Sequence, residues 1–156
     1  MKEKPNKENS LYLTIKQVYF DEIIAGTKKE EYRQIKDTTF KRYIDCDEKG
    51  YPYISDSVPE DAEIDILMYN NGEYPFFPKP YQYLSLAVGY AKERDTAIVE
   101  VVDITFLTIK DEDGKAIRYN IDEEKQMFVE HPDGFLADWY IVYHLGEIIE
   151  VKRKKS

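Results

Sequence analysis

The stretch LYLTIKQVYFDEIIAGTKKEEYR, residues 11–33, decides the fold class. In 11–15, Leu11, Leu13 and Ile15 alternate with Tyr12 and Thr14, the period-two pattern of a strand with one buried face. From 18 to 25 the period changes. Val18, Phe20, Ile23 and Ile24 make an apolar face and Asp21 and Glu22 a polar one, so a short helix is expected there. Gly26 stops it, because glycine accepts the positive φ that a helix C-terminus asks for. Residues 28–35 return to an extended pattern with dense charge. Positions 29, 31 and 33 of that strand share one face, and Lys28, Glu30 and Tyr32 the other. Strand, helix and strand in succession point to an α+β protein.

Outward from this stretch, 38–44 reads as a second short helix. Residues 45–63 hold Gly50, Pro52 and Pro59 among many acids and read as a loop. A strand is expected at 64–69, followed by Asn70-Asn71-Gly72, whose residues tolerate positive φ and mark a turn. Pro75, Pro78 and Pro80 keep the next stretch extended or looped. Strands are expected at 83–90 and 97–109, around a charged turn at 91–96. Asp111-Glu112-Asp113-Gly114 reads as a hairpin connection into a strand at 115–121. A short capped helix is expected at 122–129, a loop at 131–134, and closing strands at 139–145 and 148–151. Six or seven short strands with two or three short helices suggest a small mixed-strand barrel. One domain over 11–151 is expected, with a flexible tail at 1–10 and a basic tail at 152–156.

The chain has 156 residues, 42% hydrophobic and 34% charged, as expected of a single globular domain. It carries 14 tyrosines against 7 phenylalanines and one tryptophan, a choice that suits strands with a half-wet face. Cys46 is the sole cysteine, which excludes an intrachain disulfide and a cysteine-based structural zinc site. Residues 1–10 have no apolar run of the secretory type, and no apolar stretch approaches the roughly 20 residues that span a bilayer. A reducing cytoplasm and no membrane association are expected. The net charge is −9, and residues 11–151 hold 15 basic against 29 acidic residues. Such a surface repels polyphosphate at long range, so any nucleic-acid contact has to be local. One local reversal exists: residues 26–43 hold six basic side chains against three acidic.

That reversal is built on Gly26-Thr27-Lys28-Lys29-Glu30-Glu31-Tyr32-Arg33. On spacing alone it reads more readily as a solvated edge strand, whose charges discourage sheet-to-sheet pairing. Gly26, Lys28, Glu31 and Arg33 match the Gly-x-Lys-x-x-Glu-x-Arg pattern, and in this the chain resembles the ASCH domains of the PUA-like superfamily. The order of strand, helix and charged strand, then Phe40-Lys41-Arg42, is similar too, as is the terminal 139–146. The resemblance implies a PUA-like pseudo-barrel with a cleft beside the first helix, holding single-stranded RNA or a nucleotide-like molecule. Carried over by position, Lys28 and Arg33 would meet phosphate or a carbonyl edge, and Glu31 would accept from base or sugar donors. Tyr32 and Tyr69 are candidates to stack an unpaired base, though ordinary packing in the barrel is the reading aromatics favour.

Some small ASCH-like proteins are amidohydrolases of acylated cytidine, with a threonine nucleophile three residues after the lysine. Here Glu31 stands at that place, and a carboxylate replaces the hydroxyl poorly. Glu31 as general base to water with Lys28 as electrostatic stabiliser remains an alternative hydrolase, on modified nucleosides or on RNA. A third reading is an interaction domain that meets a basic partner through the acidic 45–65 loop. His131 has no ligand-like neighbours in sequence, and His144, in an apolar strand, reads as a hydrogen-bonded structural histidine. Residues 111–114 are too short for a calcium loop. No dinucleotide or P-loop motif occurs, so no cofactor is expected. The basic 152–155 segment reads as a solubilising tail.

Overall fold

The computed structural model of the chain describes residues 3–36, 38–55, 68–69, 76–108, 112–115, 118–125, 127–131, 135–137 and 139–154. Its elements run β1 (Ser10–Ile15), α1 (Gln17–Ala25), β2 (Glu30–Gln34), a 3-10 turn (Phe40–Arg42), β3 (Met68–Tyr69), β4 (Tyr83–Val88), β5 (Thr96–Thr108), β6 (Arg118–Asp122), β7 (Met127–Glu130), β8 (Phe135–Ala137) and β9 (Trp139–Lys152). The fold is α+β. A five-stranded mixed sheet has the order β1-β4-β5-β9-β2, and a second sheet has the order β3-β8-β6-β7. β1 runs parallel to β4, which the long intervening chain permits, and β4 pairs antiparallel with β5.

The chain divides into two compact units. The first comprises Met1–Glu31, Pro80–Thr105 and Val142–Ser156. Its core follows the alternation read from the sequence: Leu11, Leu13 and Ile15 are buried while Tyr12 is exposed. Phe20 and Ile23 of α1 and Leu84, Leu86, Ala97, Val99 and Val101 of the sheet complete it. Burying each of these side chains except Ala97 is worth about 1.5–3 kcal/mol before entropy is counted. Residues 3–10, read as tail, carry contacts here. The Tyr83 hydroxyl donates to the Glu3 carbonyl at 2.6 Å, Asn6 and Asn9 exchange side-chain bonds with each other's backbone, and Ser10 opens β1.

The second unit comprises Tyr32–Lys79 and Phe106–Ile141. Trp139 anchors it, fully buried, stacked on Phe76 at 5.5 Å between ring centroids and edge-on to Phe106 at 5.0 Å. Ile35 donates its N–H to the Trp139 carbonyl at 2.8 Å, and Tyr43 and Ile44 are buried beside the 3-10 turn.

Several expectations change. Among the described residues there is one α-helix, not two or three. The helix expected at 38–44 is only the three-residue 3-10 turn. The one expected at 122–129 is the β6–β7 hairpin, in which Asp122 pairs with Met127. The Asp122 carboxylate accepts from the N–H groups of Glu124 and Lys125, the same bonds an N-cap makes, so the local signal was ambiguous. Residues 112–114 do turn, with Gly114 at φ 78, but among the described residues β5 and β6 belong to different sheets and do not pair with each other. The two closing strands are one 14-residue strand, β9. Gly146 inside it does not break it. A Cβ there would run into the Glu100 carboxylate and come within 2.6 Å of Val102 Cγ1, so glycine serves close strand packing. The five-stranded sheet is open and does not close into a barrel. The Asn70-Asn71-Gly72 turn, most of the strand at 64–69 and the acidic loop from residue 56 onward lie outside the described residues. Among the described residues no helix is long and apolar enough to cross a membrane.

Candidate functional site

The helix stop places the charged motif. Gly26 takes φ 81, and the N–H groups of Thr27 and Lys28 both donate to the Glu22 carbonyl, at 3.0 and 3.1 Å, folding the chain back off α1. Leu145 then donates its N–H to the Lys29 carbonyl at 2.8 Å, fixing the segment to β9. Between helix and sheet this leaves a cavity of about 300 Å³. Ile23, Val99, Leu145 and Ile148 supply apolar lining, Gly26 and Gly146 leave it open, and Lys28 and Lys29 bring the charge. The size lies at the lower end for small-molecule sites, and polar and apolar atoms share its wall almost evenly.

Lys28 is held rather than splayed. Its Nζ lies 3.9 Å from Glu31 Oε2 and 5.4 Å from the centre of the Tyr19 ring. Glu31 is buried at 7% exposure, whereas Tyr32 is exposed. Strict strand alternation would put Lys28 and Glu31 on opposite faces. They meet because β2 begins only at Glu30, leaving Lys28 in the turn where strand parity does not apply. Tyr32, Arg33 and Tyr69 belong to the second unit, and Glu31 is not among the residues that line the cavity. Tyr69 is placed only as the end of β3. Lys29 and the glycine and apolar lining from β5 and β9 escape sequence reasoning, since pairing among strands far apart in the chain brings them together.

Two further clusters stand in the first unit. Asp95, buried at 4% exposure, accepts from the Lys154 N–H at 2.8 Å, Gln17 Nε2 at 2.9 Å and Arg153 Nη1 at 3.0 Å. The backbone hydrogen bond from Lys154, then Gln17 and Arg153, hold its pKa down to about 2. Arg153 also bridges to Asp21 at 3.0 Å and lies over the Phe20 ring. Residues read as a solubilising tail are thus seated on α1 and the β4–β5 loop. The second cluster is around His144, whose Nε2 is 2.8 Å from Thr105 Oγ1 and whose Nδ1 is 3.6 Å from Glu30 Oε1.

Cys46 donates to the Ile44 carbonyl, and burial pushes its thiol up, away from thiolate reactivity. Among the described residues no group of three or more His, Cys, Asp or Glu side chains is arranged to hold a metal ion. Comparison of the chain with protein-family models, with curated proteins and with solved structures finds no match.

Proposed function

We propose that this protein is a divergent ASCH-type, PUA-like module of the cytoplasm that binds single-stranded RNA or a nucleotide-like molecule in the cavity beside α1. The observation that carries the reading is the pair Lys28 and Lys29 at a partly apolar hollow. Apolar lining accepts the flat face of a base, and ammonium groups accept phosphate as movable point charges. The net charge of −9 works against any broader nucleic-acid surface and favours a short, local contact. The pseudo-barrel of that family belongs to the same proposal, with the open five-stranded sheet as its divergent form.

Titration of labelled single-stranded RNA at low and moderate salt tests the reading. Replacing Lys28 and Lys29 together by alanine is expected to weaken binding by about tenfold or more and to reduce the salt slope by about one to two. Unchanged affinity and slope would remove the site from consideration.

A second reading is favoured by the buried Glu31 carboxylate 3.9 Å from Lys28 Nζ. In a hydrolase, Glu31 would take a proton from water while Lys28 stabilises the developing negative charge. Incubation with acetylcytidine and with RNA decides it: turnover lost in Glu31→Gln supports the assignment, and equal turnover in both proteins dismisses it.

A further inference from the structure

The sheet order places β9 between β5 and β2. A side chain on β9 therefore reaches both neighbouring strands at once, and His144 does. Thr105 of β5 meets its Nε2 at 2.8 Å, and Glu30 of β2 lies 3.6 Å from its Nδ1. None of the three lines the cavity described above. With the proton on Nδ1, facing the carboxylate, Nε2 keeps a lone pair and accepts from the Thr105 hydroxyl. That is hydroxyl, imidazole and carboxylate in the order of a nucleophile, its base and the group orienting that base, with a hydrogen bond between the first two and the carboxylate at ion-pair distance from Nδ1. The His144 side chain is 31% exposed and the Glu30 side chain 43%, so an acyl group has access to the row. An exposed neutral hydrogen bond adds little to folding, so stability gives weak reason for this arrangement.

The geometry points to a second site on this protein: Thr105, His144 and Glu30 as the nucleophile, general base and orienting carboxylate of an acyl-ester hydrolase. Thr105 Oγ bonds to the carbonyl carbon while its proton passes to His144 Nε2 and the carbonyl π pair moves to oxygen. Collapse expels the alcohol, which takes the proton from His144 and leaves an acyl-threonine. Water then attacks that ester, giving its proton to His144. Thr105 Oγ departs with that proton, and the products are one alcohol and one carboxylic acid. The Glu30 carboxylate steadies the imidazolium in both halves. The site is independent of the RNA- or nucleotide-binding reading, because it shares no residue with it.

The test uses p-nitrophenyl acetate, with release of nitrophenol followed optically and the acetyl group located by peptide mass spectrometry. The expected result is acetylation at Thr105, kept in Thr105→Ser and absent in Thr105→Ala. His144→Ala is expected to lower the acylation rate by about 10²-fold or more, and Glu30→Gln by about tenfold. His144→Asn retains a polar side chain but no base, so it separates loss of catalysis from loss of fold when both histidine variants are checked by circular dichroism. Acetyl found only elsewhere, or acylation unchanged in folded Thr105→Ala and His144→Asn, overturns the proposal.

Discussion

At the scale of single residues, Asp95 is where charge and fold are tied most tightly. Its carboxylate holds the C-terminal strand end through the Lys154 N–H and Arg153, and α1 through Gln17. The folded pKa, about 2, lies below the ordinary carboxylate value near 3.9. Stability from this group is therefore complete above about pH 4 and is lost as pH falls towards about 2. Thermal unfolding of wild type and Asp95→Asn across that window is expected to show a gap at neutral pH that closes in acid. A gap constant with pH would mean that packing, not charge, sets the effect. Two glycines separate two physical costs. Gly26 has φ 81 and open space around it, so Gly26→Ala costs only backbone strain, about 1 kcal/mol. Gly146→Ala drives a methyl into Glu100 and Val102, and about 1–3 kcal/mol is expected, with β5 and β9 forced apart. Denaturant midpoints of the two variants should rank in that order.

At the scale of elements, the first strand and the helix after it were legible from residues 11–26 alone. Alternation of Leu11, Leu13 and Ile15 fixes a buried face, and a glycine with positive φ fixes the end of α1, and both are local properties. The β6–β7 hairpin resembles a helix start in sequence for an equally local reason: an aspartate that accepts from N–H groups two and three residues on serves a cap and a turn alike. What decided for strands was the pairing of 119–122 with 127–130, which no single segment announces. Trp139 carries the corresponding prediction. Set between Phe76 and Phe106 and fully buried, it is expected to cost about 3–5 kcal/mol on truncation to alanine, read by chemical denaturation. Less than 1 kcal/mol would mean that the aromatic cluster does not hold the second unit together.

At the scale of the whole molecule, charge sets what the protein avoids. With 31 acidic against 22 basic residues, the chain is expected to leave duplex DNA unshifted in electrophoresis at near-physiological salt. Retardation as strong as that of single-stranded RNA would contradict a confined binding site. The sequence by itself determined the α+β class, the buried face of β1, the helix stop at Gly26 and the sign of the surface, because each depends on neighbours within a few positions or on composition. Only tertiary structure decided that Lys28 and Lys29 stand at a hollow completed by Val99, Leu145, Gly146 and Ile148, and that Thr105, His144 and Glu30 form a row. Strand order in a sheet is a contest among distant segments for the same hydrogen bonds, and its outcome depends on how the whole core packs.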